Sequence, residues 1–221
     1  MVNYTDELNK LSNIIENILS DENIGDGNEF FDTDYCYAVQ NEPDVREEPY
    51  GQRNSLGISQ DYRIALDMIA YDESEMPTNR EAYNSLQSDI DYSYEVSQEY
   101  FFDDYKDELA KVGITDYKDV SHSALSDAGL DDLAEEFDDE FRRTLNDSDW
   151  YNIITCTIYE NDNNNYSVDI DVTFKDAYSY HSTTIGESSL EFTPEELNNK
   201  SLERKISEKI TDEIFTICEK F

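Results

Sequence analysis

Residues 78–113 read TNREAYNSLQSDIDYSYEVSQEYFFDDYKDELAKVG. Thr78 and Glu81 have the spacing of a capping box, in which the Thr hydroxyl accepts from a free backbone N–H and the Glu carboxylate reaches back to the cap. Gly113 is the residue type that most often ends a helix, because it adopts positive φ at little cost. These signals predict one long helix.

Apolar residues recur along this stretch at steps of three, four or seven, which gives the helix one side that faces a core. They are Tyr83, Leu86, Ile90, Tyr94, Phe101, Tyr105, Leu109 and Val112. Residues 90–96 also alternate apolar and polar side chains, which is the pattern of a strand. We favour a helix because the caps lie outside this segment and the helical period continues past it; a strand over 90–96 is the alternative.

A row of acids repeats every fourth residue of the predicted helix, and we call it the acidic row. Its members are Asp91, Glu95, Glu99, Asp103 and Asp107. Like charges at this spacing repel by a few tenths of a kcal/mol per pair, and Lys106 and Lys111 are the nearby cations. Either the row is a solvated helix face, or it is recognised by a partner.

The composition of the whole chain is strongly acidic. The 221 residues include 53 acidic and 16 basic ones, for a formal net charge of −37. A compact chain of this length is about 45 Å across, and duplex DNA of that length carries about 26 negative charges. The charge predicts a basic protein as partner and disfavours direct binding to nucleic acid or to an anionic membrane. Because 13% of the residues are aromatic, including 17 Tyr, we expect a folded chain.

The sequence offers little support for catalysis. His122 and His181 have no Cys or His at ligand spacing, and no nucleotide-binding, hydrolase or metalloprotease motif is present. A calcium loop beginning at Asp21 fails because Asp26 stands where Gly is needed and Asp32 where Glu is needed. We therefore predict no enzyme activity, no cofactor and no metal site.

The cysteines and the N-terminus indicate the compartment. Cys36, Cys156 and Cys218 are widely spaced and odd in number, so we expect buried free thiols in a reducing environment. The first residues lack the basic and apolar regions of a signal peptide, and no apolar run has membrane length. The prediction is a cytoplasmic protein.

Elements before the long helix follow from periodicity and from turn residues. Residues 5–19 predict an amphipathic helix, and 35–39 a short strand or buried turn. Residues 42–57 contain two Pro and two Gly and predict a loop. A further helix is predicted over 59–71.

After Gly113 the chain predicts a short helix over 122–128 and a longer one over 131–145. Leu133, Phe137, Phe141 and Leu145 lie on one side of the longer helix. The other side holds what we call the second acidic cluster: Glu135, Glu136, Asp138, Asp139 and Glu140.

From residue 146 the pattern changes to a period of two. Residues 150–159 and 166–174 predict a β-hairpin around an Asn-rich turn, 177–185 a third strand, and 190–192 an edge. A helix beginning at Ser201 has a row of apolar side chains that would cover one face of this sheet. The predicted fold is α+β: a mainly helical acidic part (1–148), then a small antiparallel sheet, as a hairpin or meander, with a C-terminal helix packed on it (149–221). A single domain is the alternative.

At the level of its class, the chain resembles the small acidic anti-defence proteins of phages and mobile elements, the DNA-mimicking anti-restriction and anti-CRISPR proteins. The resemblance rests on charge, size and missing catalytic motifs. It implies a nucleic-acid mimic that blocks the basic groove of a defence nuclease, such as a CRISPR effector or restriction enzyme, through the acidic row and the second acidic cluster. The alternatives are a halophilic protein, or a phage-encoded acidic interaction or structural protein without inhibitory role.

Overall fold

A computed structural model describes residues 5–20, 29–31, 36–50, 53–147, 149–177 and 182–221. Its helices are α1 (Asp6–Leu19), α2 (Leu66–Ile69), α3 (Arg80–Lys111), α4 (His122–Asp127), α5 (Asp131–Asn146), α6 (Pro194–Leu197) and α7 (Glu203–Cys218). Its strands are β1 (Cys36–Ala38), β2 (Asp44–Tyr50), β3 (Arg53–Ile64), β4 (Trp150–Glu160), β5 (Tyr166–Asp176) and β6 (Ser182–Phe192).

The chain forms two compact units. The first contains residues 1–64, 77–82 and 150–221, and the second contains 65–76 and 83–149. The chain passes from the second unit back into the first between residues 149 and 150. The segment before residue 65 belongs to the unit that holds the sheet.

The first unit is built on an antiparallel sheet with strand order β1-β3-β4-β5-β6. Strand β3 pairs with β4 along one edge, and β1 and β2 share its other edge. Burial along β4 alternates, with Asn152, Ile154, Cys156 and Ile158 buried and their neighbours half-buried. The sheet therefore has one covered face and one more open face.

Helices α1 and α7 pack on the covered face. The Ile side chains of α7 at 206, 210, 214 and 217 are all buried, as expected from their spacing. Gly186 of β6 allows this approach, since a Cβ there would lie 2.9 Å from Cγ2 of Ile217. The fold is thus α+β with a C-terminal helix packed on an antiparallel sheet, as the sequence predicted.

Two predictions before residue 72 are wrong. Residues 42–57 are not a loop, because β2 and the first part of β3 occupy most of them. Residues 59–71 are not one helix, because β3 continues to Ile64 and only the short α2 follows it. Residues Ile58, Tyr62 and Leu66 are four apart, a spacing that a helix and a strand share. Gln60, fully buried, interrupts the apolar alternation of β3, and its side chain donates to the backbone oxygen of Gln40 at 2.6 Å.

The hairpin of β4 and β5 is confirmed. The side chain of Asn161 accepts from the backbone N–H groups of Asn163 and Asn165 at 3.0 and 3.1 Å, and Asn164 has a φ of 57°. These bonds and this conformation suit an Asn-rich turn. The predicted third strand and edge are one strand, β6, and residues 178–181 of that prediction lie outside the described residues.

The long helix α3 confirms the helical interpretation of residues 90–96. Its cap is Asn79 rather than Thr78, because Oδ1 of Asn79 accepts from the backbone N–H groups of Glu81 and Ala82, both at 3.1 Å. Gly113 follows the helix with a φ of +89°, as predicted. The helix is kinked at Tyr105, whose φ of −114° and ψ of 19° are not helical.

The core of the second unit joins α3 to α5. The ring of Phe137 lies edge-on to those of Tyr94 and Phe101, each with a centroid distance of 5.5 Å. Ser97 donates to Oγ1 of Thr144 at 3.0 Å, whereas Tyr105, later in α3, donates to Glu136, earlier in α5. The two helices therefore run antiparallel. Phe101 and Leu109 of the predicted stripe belong to this core, and Tyr94 and Tyr105 pack against it. Val112 lies beyond the helix end and is 39% exposed.

The cysteines and the helices bear on two further predictions. Cys36, Cys156 and Cys218 are free and buried, as predicted. Among the described residues, no helix has both the length and the apolar character that a membrane span requires.

Candidate partner-binding surface

The negative charge is concentrated in the second unit. Its 79 residues include 24 acidic and 5 basic ones, for a formal charge of −19. The 142 residues of the first unit carry −18. The net negative charge per residue is therefore almost twice as high in the second unit as in the first, which makes the second unit the candidate for binding a basic partner.

All five members of the acidic row are exposed. Glu95, Glu99 and Asp103 lie within about 80° of one another around the helix axis, roughly opposite the core residue Phe101. The kink at Tyr105 falls between Asp103 and Asp107, so the regular spacing of the row ends at Asp103. The structure brings together the middle of the row as one continuous helix face.

Two tyrosines share this face with the acids. Tyr92 is 66% exposed and Tyr100 is 63% exposed. Viewed down the helix axis, Tyr92 lies between Glu99 and Asp103, and Tyr100 lies about 60° beyond Asp103. We call Tyr92, Glu95, Glu99, Tyr100 and Asp103 the outer face of α3.

The five basic residues of this unit make their closest contacts outside the acidic row. Lys106 lies over the ring of Phe102, Lys118 over that of Tyr117, and Arg142 over that of Tyr71, at 5.1 to 5.6 Å from the ring centroids. The other two pair with acids outside the row, Lys111 with Glu108 and Arg143 with Glu140. Within the described part of the chain, no ion pair within 4 Å involves a member of the row.

Hydrogen bonds from uncharged donors orient two acids of the row. Glu95 accepts from the hydroxyl of Tyr117 at 3.0 Å, and Asp91 accepts from the side-chain amide of Gln87 at 2.9 Å. The bond to Glu95 also raises the pKa of Tyr117 above its ordinary value. Such donors fix a carboxylate without cancelling its charge, so it can still bind an incoming cation.

Comparison with known proteins identifies no family for this chain. No protein-family model, curated protein or solved structure matches the chain. The assignment of function therefore rests on the chemistry of α3 and its surroundings.

The second acidic cluster is largely committed to contacts inside its own unit. Glu136 accepts from the hydroxyl of Tyr105 at 2.5 Å, and Asp138 lies 2.9 Å from Nδ1 of His122. Glu140 pairs with Arg143 at 2.7 Å. Glu135 and Asp139 are exposed on the side of α5 away from the core. Three of these five acids thus have a structural role.

The ten predicted acids form two surfaces. Helix α5 packs on the side of α3 that carries Tyr94 and Phe101, which is opposite the outer face. The sequence interpretation named neither Tyr92 nor Tyr100. The signal was present, since both lie off the apolar stripe and within four residues of an acid of the row.

Metal binding finds no support in the described residues. There, no group of three or more His, Cys, Asp or Glu side chains is arranged to hold an ion. The calcium-like segment lies mostly outside the described residues, as does His181. His122 is used in the contact with Asp138.

Proposed function

We propose that this protein is a nucleic-acid mimic that binds the basic groove of a nucleic-acid-binding protein through the outer face of α3. The observation that carries the proposal is the set of three exposed carboxylates, none in an ion pair within 4 Å among the described residues, and two exposed tyrosines on one helix face. Nucleic-acid-binding grooves draw much of their affinity from Lys and Arg contacts to phosphate. Carboxylates on a prefolded helix supply the same acceptors.

The spacing of these carboxylates is comparable with that of phosphates. From Glu95 to Asp103 the helix rises about 12 Å, a distance over which one strand of duplex DNA carries about four phosphates. Three row carboxylates span this distance. The acid density of the unit adds long-range attraction, which accelerates encounter with a basic surface.

The tyrosines supply what charge alone does not. Tyr is enriched among the residues that dominate binding energy, because its ring offers a large contact area with few rotatable bonds. An Arg or Lys of the partner can stack on the ring of Tyr92 or Tyr100 while its cationic group contacts a neighbouring carboxylate. The face therefore favours specific recognition over a merely solvated helix.

The distribution of charge also separates this proposal from halophilic adaptation, which spreads acids over a whole surface. Here the second unit holds more than half of the net charge on 79 of 221 residues. We place the protein in the cytoplasm of its host, and its target among defence nucleases, such as a CRISPR effector or a restriction enzyme. We propose no catalytic activity and no cofactor.

The decisive experiment compares two variants with equal changes in charge. The first reverses the outer face, with Glu95→Lys, Glu99→Lys and Asp103→Lys. The control reverses Asp67, Asp119 and Asp147 in the same unit. Each protein is immobilised in low salt, exposed to bacterial lysate, and then washed with duplex DNA.

We expect the native protein and the control to retain one nucleic-acid-binding complex that duplex DNA releases, and the outer-face variant to lose it. Equal capture by the two variants would refute the role of the outer face. Captured protein that DNA does not displace would instead favour an acidic interaction protein without mimicry.

A further inference from the structure

A cavity of about 570 Å³ opens in the second unit, away from the outer face. It lies between the C-terminal turns of α3, around the kink at Tyr105, and the turn that leads from α4 into α5. Its volume falls within the roughly 300 to 1,000 Å³ typical of ligand pockets.

The lining of the cavity combines acids with an apolar floor. Four carboxylates line it: Asp104, Glu108, Asp131 and Asp132. Tyr105, Leu130 and Leu133 form the apolar part, and all three pack against the buried core of the unit. The floor is therefore supported from below, while the charged groups are exposed.

The charge of these four acids is barely compensated from within. The Nζ atom of Lys111 is 3.9 Å from Glu108, at the limit of an ion pair, and the Ser126 hydroxyl donates to Asp131 at 2.7 Å. Among the described residues, no Lys or Arg side chain lies within 4 Å of Asp104, Asp131 or Asp132. A cationic occupant would thus meet acids that still lack a counter-ion.

We propose, on the premise of the function proposed above, that this cavity receives an arginine side chain of the basic partner. An arginine has an apolar stem that suits the floor of Leu130 and Leu133. Its guanidinium presents five donors in a fixed plane, which several carboxylates satisfy together. The cavity is then an anchoring site that adds to the outer face and selects an arginine at one position of the partner.

The test uses the full chain and an acetylated hexa-arginine amide as probe, followed by backbone amide NMR in 0.1 M salt. We expect the amide signals of Gly129, Leu130 and Leu133 to shift saturably. The cavity variant carries Asp104→Asn, Glu108→Gln and Asp132→Asn. It should bind the probe at least roughly tenfold more weakly, because charge-assisted hydrogen bonds are lost.

A control variant with Asp67→Asn, Asp119→Asn and Asp147→Asn makes the same change in net charge. It should bind the probe within about threefold of the native affinity, since distant charges act only through screened attraction. Equal weakening in the two variants, or shifts spread over all acidic surfaces, would overturn the site. The mapping on the native protein decides this even where a variant folds poorly.

Two further probes distinguish the occupant. Spermine that shifts the same amides at equal or tighter affinity would assign the cavity to small polyamines and overturn the arginine proposal. Magnesium chloride that does so would assign it to a metal ion. If only the cavity proposal is wrong, target capture by the native protein still depends on the outer face. If the proposed function is wrong, that dependence is lost, whereas the NMR shifts remain.

Discussion

The ring of Tyr94 lies edge-on to that of Phe137, with centroids 5.5 Å apart and planes at 86°. Phe137 is 1% exposed and also contacts Phe101, so it fixes α5 against the side of α3 that faces away from solvent. Edge-to-face pairs add about 0.5 to 1.5 kcal/mol beyond the burial of their area. The orientation of the outer face depends on this contact.

Phe137→Ala should therefore destabilise the second unit by about 3 to 5 kcal/mol, the usual cost of removing a buried Phe. Denaturant unfolding followed by circular dichroism measures the change. The control is Asp139→Ala on the exposed side of the same helix, which should stay within about 0.5 kcal/mol of the native value. A loss below 1 kcal/mol for Phe137→Ala would contradict the packing described.

Asp171 and Glu187 lie directly opposite each other in the pairing of β5 with β6. Burial and the neighbouring Glu187 carboxylate raise the pKa of Asp171, and its Oδ1 is shielded without a hydrogen-bond partner among the described residues. A raised pKa means that the folded state favours the protonated acid. The contribution of the protonated acid to the free energy of unfolding is complete below the unfolded-state pKa of about 4, and it is lost as the pH rises through the folded-state pKa.

Asp171→Asn should consequently stabilise the protein at pH 7 by up to about 1 kcal/mol, a value reduced by solvent screening of the half-exposed pair. The gain should vanish near pH 3, where Asp171 is itself neutral. Thermal unfolding at both pH values measures this. Asp169→Asn is the control: Asp169 accepts from Ser189 at 2.6 Å, so its substitution should not stabilise. A gain for Asp171→Asn that is the same at both pH values would disprove the explanation.

The sequence was sufficient for α1, α3, α5, the hairpin and α7, because each has a long stretch in which apolar residues recur with one regular period. It was insufficient for β3. Gln60 is buried at a position where the pattern needs an apolar side chain, and its Nε2 donates to the backbone oxygen of Gln40, which is distant in the chain. Local periodicity does not encode such a tertiary hydrogen bond.

The same limit applies to the candidate site. The acidic row follows from four-residue spacing, and its exposure was predictable because the apolar stripe lies opposite. The roles of Glu136 and Asp138 were not, since their partners Tyr105 and His122 lie in other elements. The kink at Tyr105 was not predictable either, because no Pro or Gly lies beside Tyr105 in the sequence.

The salt dependence of stability tests whether the acidity is an adaptation to brine. Self-repulsion of a charge of −37 is screened within a Debye length of about 10 Å at 0.1 M salt. We expect the free energy of unfolding to rise between 10 and about 150 mM NaCl and then to level off. A chain that unfolds below molar salt would support halophilic adaptation. Potassium and sodium chloride should behave alike.

The three thiols should be unreactive in the folded protein. Burial raises the pKa of Cys156 to about 12, and burial also raises the pKa of Cys36 and Cys218. The thiolate is the reactive form. A coloured disulfide reagent at pH 8 should therefore label fewer than one thiol per chain over an hour, and all three after denaturation. Rapid labelling without denaturant would show that the covered face of the sheet opens.

The outer-face tyrosines separate recognition from folding. Tyr92→Ser and Tyr100→Ser remove exposed rings, so the free energy of unfolding should change by no more than about 0.5 kcal/mol each. If the rings stack on partner cations, each change should weaken target binding roughly thirtyfold, the effect of a hot-spot residue. Tyr94→Ser is the contrasting variant: it should destabilise the unit because its ring contacts Phe137 and Phe141. If the Tyr92 and Tyr100 variants bind with unchanged affinity, the carboxylates act alone, and the partner recognises the charge of this surface and not its shape.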